Sequence, residues 1–171
     1  MPRWDAHCTS ERRLTGYFDA ARSLTRSDAE AVRSLVLGIL GITPYVDRVL
    51  ELADASDGSD REHHGLLMER DGTAAALALF GPVAGADRLW HLGMFLVAPR
   101  VDVREIGGAL LDAVVSFVRD RHARVLMAEL PADPVIGSSL SLLRGKGFKQ
   151  EARIPDFYRD GVALLFLRMN L

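Results

Sequence analysis

Two adjacent glycines, Gly107 and Gly108, stand at the head of an apolar-striped run in the stretch PRVDVREIGGALLDAVVSF, Pro99 to Phe117. Residues of that type in that place can do one kind of chemistry, which is to hold an anion. A helix start carries N–H groups with no partner inside the helix and about half a positive charge. Glycine lets successive amides converge on a ligand with no side chain in the way. A phosphate or pyrophosphate is the group such a turn takes most readily. Asp102 and Glu105 oppose it, because each sets a carboxylate beside the anion. The glycines have a second reading, in which they only let a helix begin in tight quarters.

Other reactive constellations fail on spacing. His63 and His64 are neighbours, so in a strand they point to opposite faces and cannot chelate one ion together. No Cys/His spacing suggests zinc, and no metal is expected. Ser138, Ser139 and Ser141 lack the strand-to-helix elbow of a nucleophilic serine and are read as capping or coating a helix. The run RGKGF, Arg144 to Phe148, resembles a phosphate loop only loosely, with no Ser- or Thr-headed helix after it.

The elements that must position the glycine turn can be read along the chain. Leu14 to Leu24 suggests a first strand. Ser27 and Glu30 form a capping box ahead of Val32, Leu35, Val36, Ile39 and Leu40 at helical spacing, with Gly41 as the stop. Thr43-Pro44 starts a second helix, with Val46, Val49, Leu50 and Ala53 on its apolar face. DASDGSDRE is a loop. Gly65 to Glu69 and Thr73 to Phe80 form a hairpin around Asp71-Gly72, which suits the tight turn of twisted strands. Arg88 to Val97 is a third, mostly apolar strand.

The glycine turn then feeds a helix with two apolar stripes, Leu110, Val114 and Phe117, then Leu111, Val115 and Val118. Arg124 to Leu130 is a strand apolar on both faces, which implies helices on both sides of the sheet. Asp133-Pro134 starts a last helix, and strands over Phe148 to Ile154 and Val162 to Met169 close the chain. The order is strand, helix, helix, three strands, helix, strand, helix, two strands. It predicts an α/β layered domain with a mixed sheet.

Bulk properties narrow the function classes. A chain of 171 residues fits one domain, expected over residues 14–171 behind a flexible end at 1–13. The net charge of −2 argues against nucleic acid or an anionic membrane as a partner. Cys8 is the single cysteine, so no internal disulfide forms and a cytoplasmic setting is expected. The start, MPRWDAHCTSERR, lacks the apolar core of a signal peptide. The longest apolar stretches are too short or too broken by Gly and Pro to cross a bilayer.

Three local features, in this order and spacing, carry a family resemblance. A strand ending Val97-x-Pro99 leads into Gly107-Gly108-Ala109-Leu110-Leu111. Gly147-Phe148 follows a helix. Ile154-Pro155-Asp156-Phe157-Tyr158-x-x-Gly161 precedes the last strand. Over roughly residues 14–171 the chain resembles the GNAT superfamily of acyl-CoA-dependent N-acyltransferases. The resemblance implies a mixed, mostly antiparallel sheet flanked by helices on both faces. It also implies acetyl-CoA as co-substrate, its pyrophosphate wrapped by the turn before the helix.

The family pattern there is Gln or Arg, two residues, Gly, one residue, then Gly or Ala. One register matches it by letter with Arg104, Gly107 and Ala109, at the expense of two extra loop residues. The ungapped register keeps Pro99 and Leu110-Leu111 in place and is preferred, because burial constrains helix phase. It sets Asp102 at the Gln/Arg position, Glu105 at the first glycine and Gly107 at the last. If the family's loop conformation is kept, Glu105 is expected at positive φ, a strain of about 1–2 kcal/mol. Arg100 and Arg104 offset the carboxylates, and Arg104, Ile106, Gly107 and Gly108 are the expected pyrophosphate site. Arg144 or Lys146 could touch a phosphate at the adenosine end.

Acetyl transfer to an amine needs a base for the acceptor and a proton donor for the departing thiolate. Backbone N–H groups beside the cofactor polarise the thioester carbonyl, and the resemblance puts these around Phe95, Leu96 and Val97. The family's tyrosine, four residues before the glycine of Gly147-Phe148, falls at Leu143, which cannot donate. Tyr158 is the nearest substitute, unless it is only a half-buried aromatic at a strand turn. His91 falls where related sequences carry glutamate, and a histidine titrating near neutrality is apt there. The alternatives are a strand histidine with no role and Glu129 on the neighbouring strand as base. Two functions follow. One is an N-acetyltransferase acting on a small-molecule or peptide primary amine, a homodimer being open to it. The other is a catalytically impaired relative that serves as a CoA-binding or interaction module.

Overall fold

A computed structural model describes residues 20–41, 43, 46–56 and 62–171 of the chain. The expected flexible end lies outside the described residues, as do Pro44 and part of the loop after the second helix. The elements are β1 (Arg22–Ser23), α1 (Ala29–Leu40), α2 (Val46–Ala55), β2 (His64–Arg70), β3 (Thr73–Pro82), β4 (Leu89–Val97), α3 (Gly108–Arg119), β5 (Val125–Pro131), α4 (Gly137–Gly145), β6 (Lys149–Arg159) and β7 (Val162–Asn170). Their order is the one expected from the sequence. One sheet runs β1-β2-β3-β4-β5-β7-β6, antiparallel throughout except for the parallel pair β4 and β5. The fold is therefore mixed α/β, a mostly antiparallel seven-stranded sheet with four helices against it.

The hairpin forms as its turn residues dictate. Asp71 and Gly72 take φ of 52° and 71°, the left-handed pair that joins twisted strands. The α3 face of the sheet is aromatic: Phe117 packs edge-on against Phe80 and Trp90, at centroid distances of 5.1 and 6.0 Å. Leu110, Leu111, Val114 and Val118 are buried as the two stripes require. Neighbouring side chains of a strand point to opposite faces. Thus His91, next to Trp90, faces away from α3 and toward α2.

Of the first strand expected over Leu14 to Leu24, the part before residue 20 lies outside the described residues, and Arg22–Ser23 is strand. One local reading is corrected. The capping box ahead of α1 is Thr25 with Asp28, two residues earlier than Ser27 and Glu30, and a short 3-10 turn, Arg26–Asp28, follows Thr25. Asp28 accepts from the Thr25 N–H at 2.8 Å and from its hydroxyl at 2.7 Å. Asp28 is buried and also accepts from both terminal guanidinium nitrogens of Arg22, Nη1 and Nη2, at 2.9 and 2.7 Å. Arg22 reaches Glu69 as well, at 3.0 Å. One arginine thereby staples β1 to α1 and β2, and Asp28's carboxyl is held well below the usual carboxylate range, chiefly by the Arg22 hydrogen bonds. Among the described residues, no helix is long and apolar enough to cross a membrane.

Candidate active site

The site begins where the sheet divides. β4 and β5 pair only from Leu89 opposite Val125 to Leu92 opposite Ala128. Beyond that, β4 stays beside β3, while β5 turns with β7, pairing Glu129 with Phe166 and Leu130 with Leu165. The register of β3 on β4 slips at the same level. Leu79 faces Met94 and Phe80 faces Leu92, so Gly93 is the extra residue of a β-bulge.

Past the bulge, Ala98 donates its N–H to Ala75 at 2.8 Å, toward β3. By strand alternation the Leu96 N–H also faces β3. The Phe95 and Val97 N–H groups then face the divide, on the side where β5 has drawn away. The three residues expected to polarise a carbonyl are split in this way: the Phe95 and Val97 N–H groups point away from β3 and that of Leu96 toward it, and of the three only Phe95 lines the cleft.

A cleft of about 440 Å³ opens on this divide, and His91, Glu129 and Tyr158 all line it. Its floor includes Gly93 and Phe95, and α2 supplies one wall. His91 Nε2 is buried with no hydrogen-bond partner among the described residues. It lies 3.9 Å from Glu129 Oε1, too far for a hydrogen bond. Burial lowers the His91 pKa from its ordinary 6.5, against a smaller opposing pull from the Glu129 charge. The imidazole is therefore neutral at pH 7, with a lone pair to offer.

Tyr158 reaches the cleft through an irregularity of β6. Ile154 pairs with Leu164 and Arg159 with Val162, so residues 155–158 bow out against the single residue Ala163. Asp156 takes φ 51° at the bow, and its Oδ1 accepts from Gly161 N–H at 2.8 Å. Aspartate is among the residues that tolerate this conformation. Phe157 braces the Tyr158 ring edge-on at 5.0 Å. Leu143, the position at which the family's tyrosine was sought, is fully buried core.

The other expected group, at the head of α3, does not line the cleft. Val103–Gly107 form a π-helical turn that runs straight into α3, and Asp102 is its cap. Asp102 Oδ1 accepts from Arg104 N–H at 2.8 Å and Glu105 N–H at 3.3 Å. The Ile106 N–H is spent on the Asp102 carbonyl at 3.0 Å, and that of Gly108 on Arg104 and Glu105. The amides a ligand anion could use are thus those of Arg104 and Glu105, already held by a carboxylate.

The strain expected at Glu105 is absent: it does not take positive φ, because a π turn replaces the glycine loop. Gly107 serves packing. A Cβ there would stand 2.8 Å from Leu142 Cδ2 and 3.0 Å from Val97 Cγ2. Lys146 is bound to both Asp112 oxygens at 2.7 Å, and Arg144 to Gln150 at 2.8 Å.

The donor set at the divide suits a thioester carbonyl, whereas the head of α3 does not suit a pyrophosphate as it stands, because Asp102 holds the Arg104 and Glu105 amides. Among the described residues no group of three or more His, Cys, Asp or Glu side chains is placed to hold a metal ion.

Comparisons with known proteins agree with this architecture. Residues 35–136, more than half of the chain, match the Acetyltransferase (GNAT) family. A GNAT-family acetyltransferase structure from Desulfovibrio desulfuricans superposes with a TM-score of 0.77 at 29% identity, over 88% of this chain and 98% of that one. The ribosomal-protein-S18-alanine N-acetyltransferase from Escherichia coli gives 0.72 at 16% identity, over 88% and 92%. An acetyltransferase from Salmonella typhimurium, solved with acetyl-CoA, gives 0.69 at 19% identity, over 91% and 95%. The last two likenesses are of fold alone. No curated protein sequence matches the chain.

Proposed function

Since this chain belongs to the acetyltransferase (GNAT) family, we propose that it moves an acetyl group from acetyl-CoA to a primary amine of a small molecule or peptide, with His91 as base and Tyr158 as acid. The observation that carries this reading is that both side chains line the one cleft that opens where β4 and β5 part.

Acetyl-CoA, when bound, supplies an electrophilic carbonyl carbon with a thiolate leaving group. Phe95 and Val97 present backbone N–H groups along the divide, where they can stabilise charge building on a carbonyl oxygen. Of the expected group Arg104, Ile106, Gly107 and Gly108 at the head of α3, only the Arg104 amide is assigned to the pyrophosphate, in exchange for Asp102, because the Ile106 and Gly108 amides stay in the helix and Gly107 serves packing. The neutral His91 takes a proton from the acceptor's ammonium and releases it to solvent, which leaves the amine lone pair free to attack. A nitrogen–carbon bond forms and the carbon–sulfur bond breaks. The N–H proton given up by the amine ends on sulfur, and Tyr158 is the hydroxyl that delivers it. The lone cysteine supports a reducing, cytoplasmic setting.

Asp102 favours a second reading, a relative that no longer turns over and acts as a binding module. Release of free coenzyme A thiol in the presence of an amine, abolished in Tyr158→Phe, rejects it. The catalytic reading fails in turn if calorimetry finds no acetyl-CoA binding at millimolar concentration.

A further inference from the structure

The two ring nitrogens of His91 stand in different surroundings. Nε2 is buried and has no hydrogen-bond partner among the described residues. Its neighbour is Glu129 Oε1, 3.9 Å away. A nitrogen enclosed in this way meets no acceptor molecule. The side chain as a whole is nevertheless 32% exposed, so its open part lies elsewhere on the ring. Nδ1 makes no hydrogen bond among the described residues, yet it is not sealed from solvent as Nε2 is. It lies at the β4 bulge, where a Cβ on Gly93 would stand 3.7 Å from Nδ1 and 3.6 Å from Cε1. Gly93 also lines the cleft. A residue without a side chain therefore leaves the Nδ1 edge of the ring uncovered.

A neutral imidazole carries a proton on one nitrogen and offers a lone pair at the other. Which nitrogen keeps the proton is set by what each one faces. Beside Nε2 stands a carboxylate, which attracts the positive end of an N–H dipole and repels a lone pair. Glu129 is 36% exposed, so water damps this pull and the bias is severalfold rather than absolute. The proton is thereby drawn to Nε2, and the lone pair falls at Nδ1, on the side the cleft can use.

We infer that His91 works through Nδ1, reached past Gly93, and that Glu129 is a positioning residue that keeps the ring's proton on Nε2. This deepens the proposed role of His91 as base, on which it rests, by naming the atom that fills it. The acceptor's ammonium gives one N–H proton to the Nδ1 lone pair and keeps the electron pair of that bond. The imidazolium then holds a proton on each nitrogen, its Nε2–H still beside Glu129. Loss of the Nδ1 proton to solvent restores the starting tautomer.

Nitrogen-15 NMR of the full chain, labelled at histidine and held well above the ordinary histidine pKa of about 6.5, reads the tautomer directly. The His91 signals are those lost in His91→Gln. Nε2 is expected to carry the proton and Nδ1 to be bare. In Glu129→Leu, which removes the charge and keeps the bulk, the ratio of Nε2–H to Nδ1–H is expected to fall at least about threefold. Gly93 takes no left-handed φ, and a Cβ there meets only ordinary contacts of 3.6–3.8 Å. Gly93→Ala is therefore expected to fold, to leave the tautomer in place and to slow acetyl transfer about tenfold or more. A proton on Nδ1 in the natural chain overturns the inference, as does a folded Glu129→Leu with an unchanged ratio, or a Gly93→Ala protein that transfers acetyl at the natural rate. If Glu129→Leu does not fold, the natural chain's spectrum and Gly93→Ala decide the matter. An Nε2–H tautomer that yields to Glu129→Leu in a protein without acetyl transfer upholds the assignment of the nitrogens and sinks the catalytic reading. Transfer by a chain whose proton sits on Nδ1 does the reverse.

Discussion

Asp102 Oδ1 accepts the backbone N–H of Arg104 at 2.8 Å, and the protein's own carboxylate thereby sits where an anion would bind at the head of α3. A pyrophosphate must displace it. Asp102→Ser keeps a side-chain oxygen for the cap and removes the charge, so coenzyme A affinity should rise severalfold while stability changes by less than about 0.5 kcal/mol. Asp102→Ala should lose about 1 kcal/mol of stability. Titration of coenzyme A and thermal melts of the three proteins check this. Weaker coenzyme A binding by Asp102→Ser would show that the carboxylate helps the site.

His91 sets a pH dependence whose sign follows from its burial. With its pKa lowered from 6.5, it is deprotonated and competent above that value. The limb it contributes to kcat/KM should therefore lie below pH 6.5. Glu129→Gln removes the charge that favours the imidazolium and should move the limb lower still. The acceptor's own deprotonation gives a separate limb at higher pH that this change leaves in place. Folding is linked in the same sense: the unfolded chain protonates His91 first, so this group's contribution is full above pH 6.5 and declines as pH falls. A His91→Gln protein should lose that part of the acid sensitivity.

Tyr158→Phe should lower kcat by about 10²-fold or more, the usual scale for one general acid. The KM for the amine should change little, because the missing hydroxyl acts on the leaving group. Steady-state thiol release at saturating amine reads the difference. An unchanged kcat would leave Tyr158 as a packing residue.

Gly107→Ala tests packing against anion binding at the same residue. Its Cβ would meet Leu142 at 2.8 Å and Val97 at 3.0 Å, an overpacking that costs about 1–3 kcal/mol. The melting temperature should drop, whether or not coenzyme A is present.

Arg22→Ala should destabilise the chain by about 1–3 kcal/mol, since it strips the buried Asp28 of its main partner. The lower end is expected because Arg22 is itself 40% exposed. Asp28's lowered pKa stabilises the fold above the ordinary value of 3.8 and is lost as pH falls through the acid range below it. The variant's acid unfolding curve should therefore be shallower. Denaturant melts between neutral and acid pH measure both effects.

Much of this was legible in local sequence grammar. Asp71-Gly72 between two apolar runs specified the hairpin, and two stripes at helical spacing specified α3 with its buried residues. The Gly93 bulge was not legible: LWHLGMFLV is apolar nearly throughout, so it has no alternation for a slipped register to interrupt. The α1 cap is ambiguous in sequence because Thr25/Asp28 and Ser27/Glu30 both fit the capping pattern. The choice between them rests on Arg22 and on Glu69, which is distant in sequence. Asp102 did carry a usable signal. Asp-x-x-Glu ahead of an apolar helix is itself a cap signature, overlapping here with the glycine pair that follows it. Tyr158's route to the cleft depends on a bow in β6 that pairing with β7 creates and composition does not announce.

The short parallel ladder between β4 and β5 has a mechanical consequence. Four residue pairs, Leu89–Val125 to Leu92–Ala128, form the seam between two plates of sheet, β1 to β4 on one side and β5, β7 and β6 on the other. The Phe95 and Val97 amides lie beyond the end of that seam, past the last β4–β5 pair. A ligand laid along β4 would act as a strut, bracing one plate against the other and slowing hydrogen exchange at those two amides. Rigidity of the whole sheet then becomes something the bound molecule lends to the protein, present during each encounter and returned when it leaves.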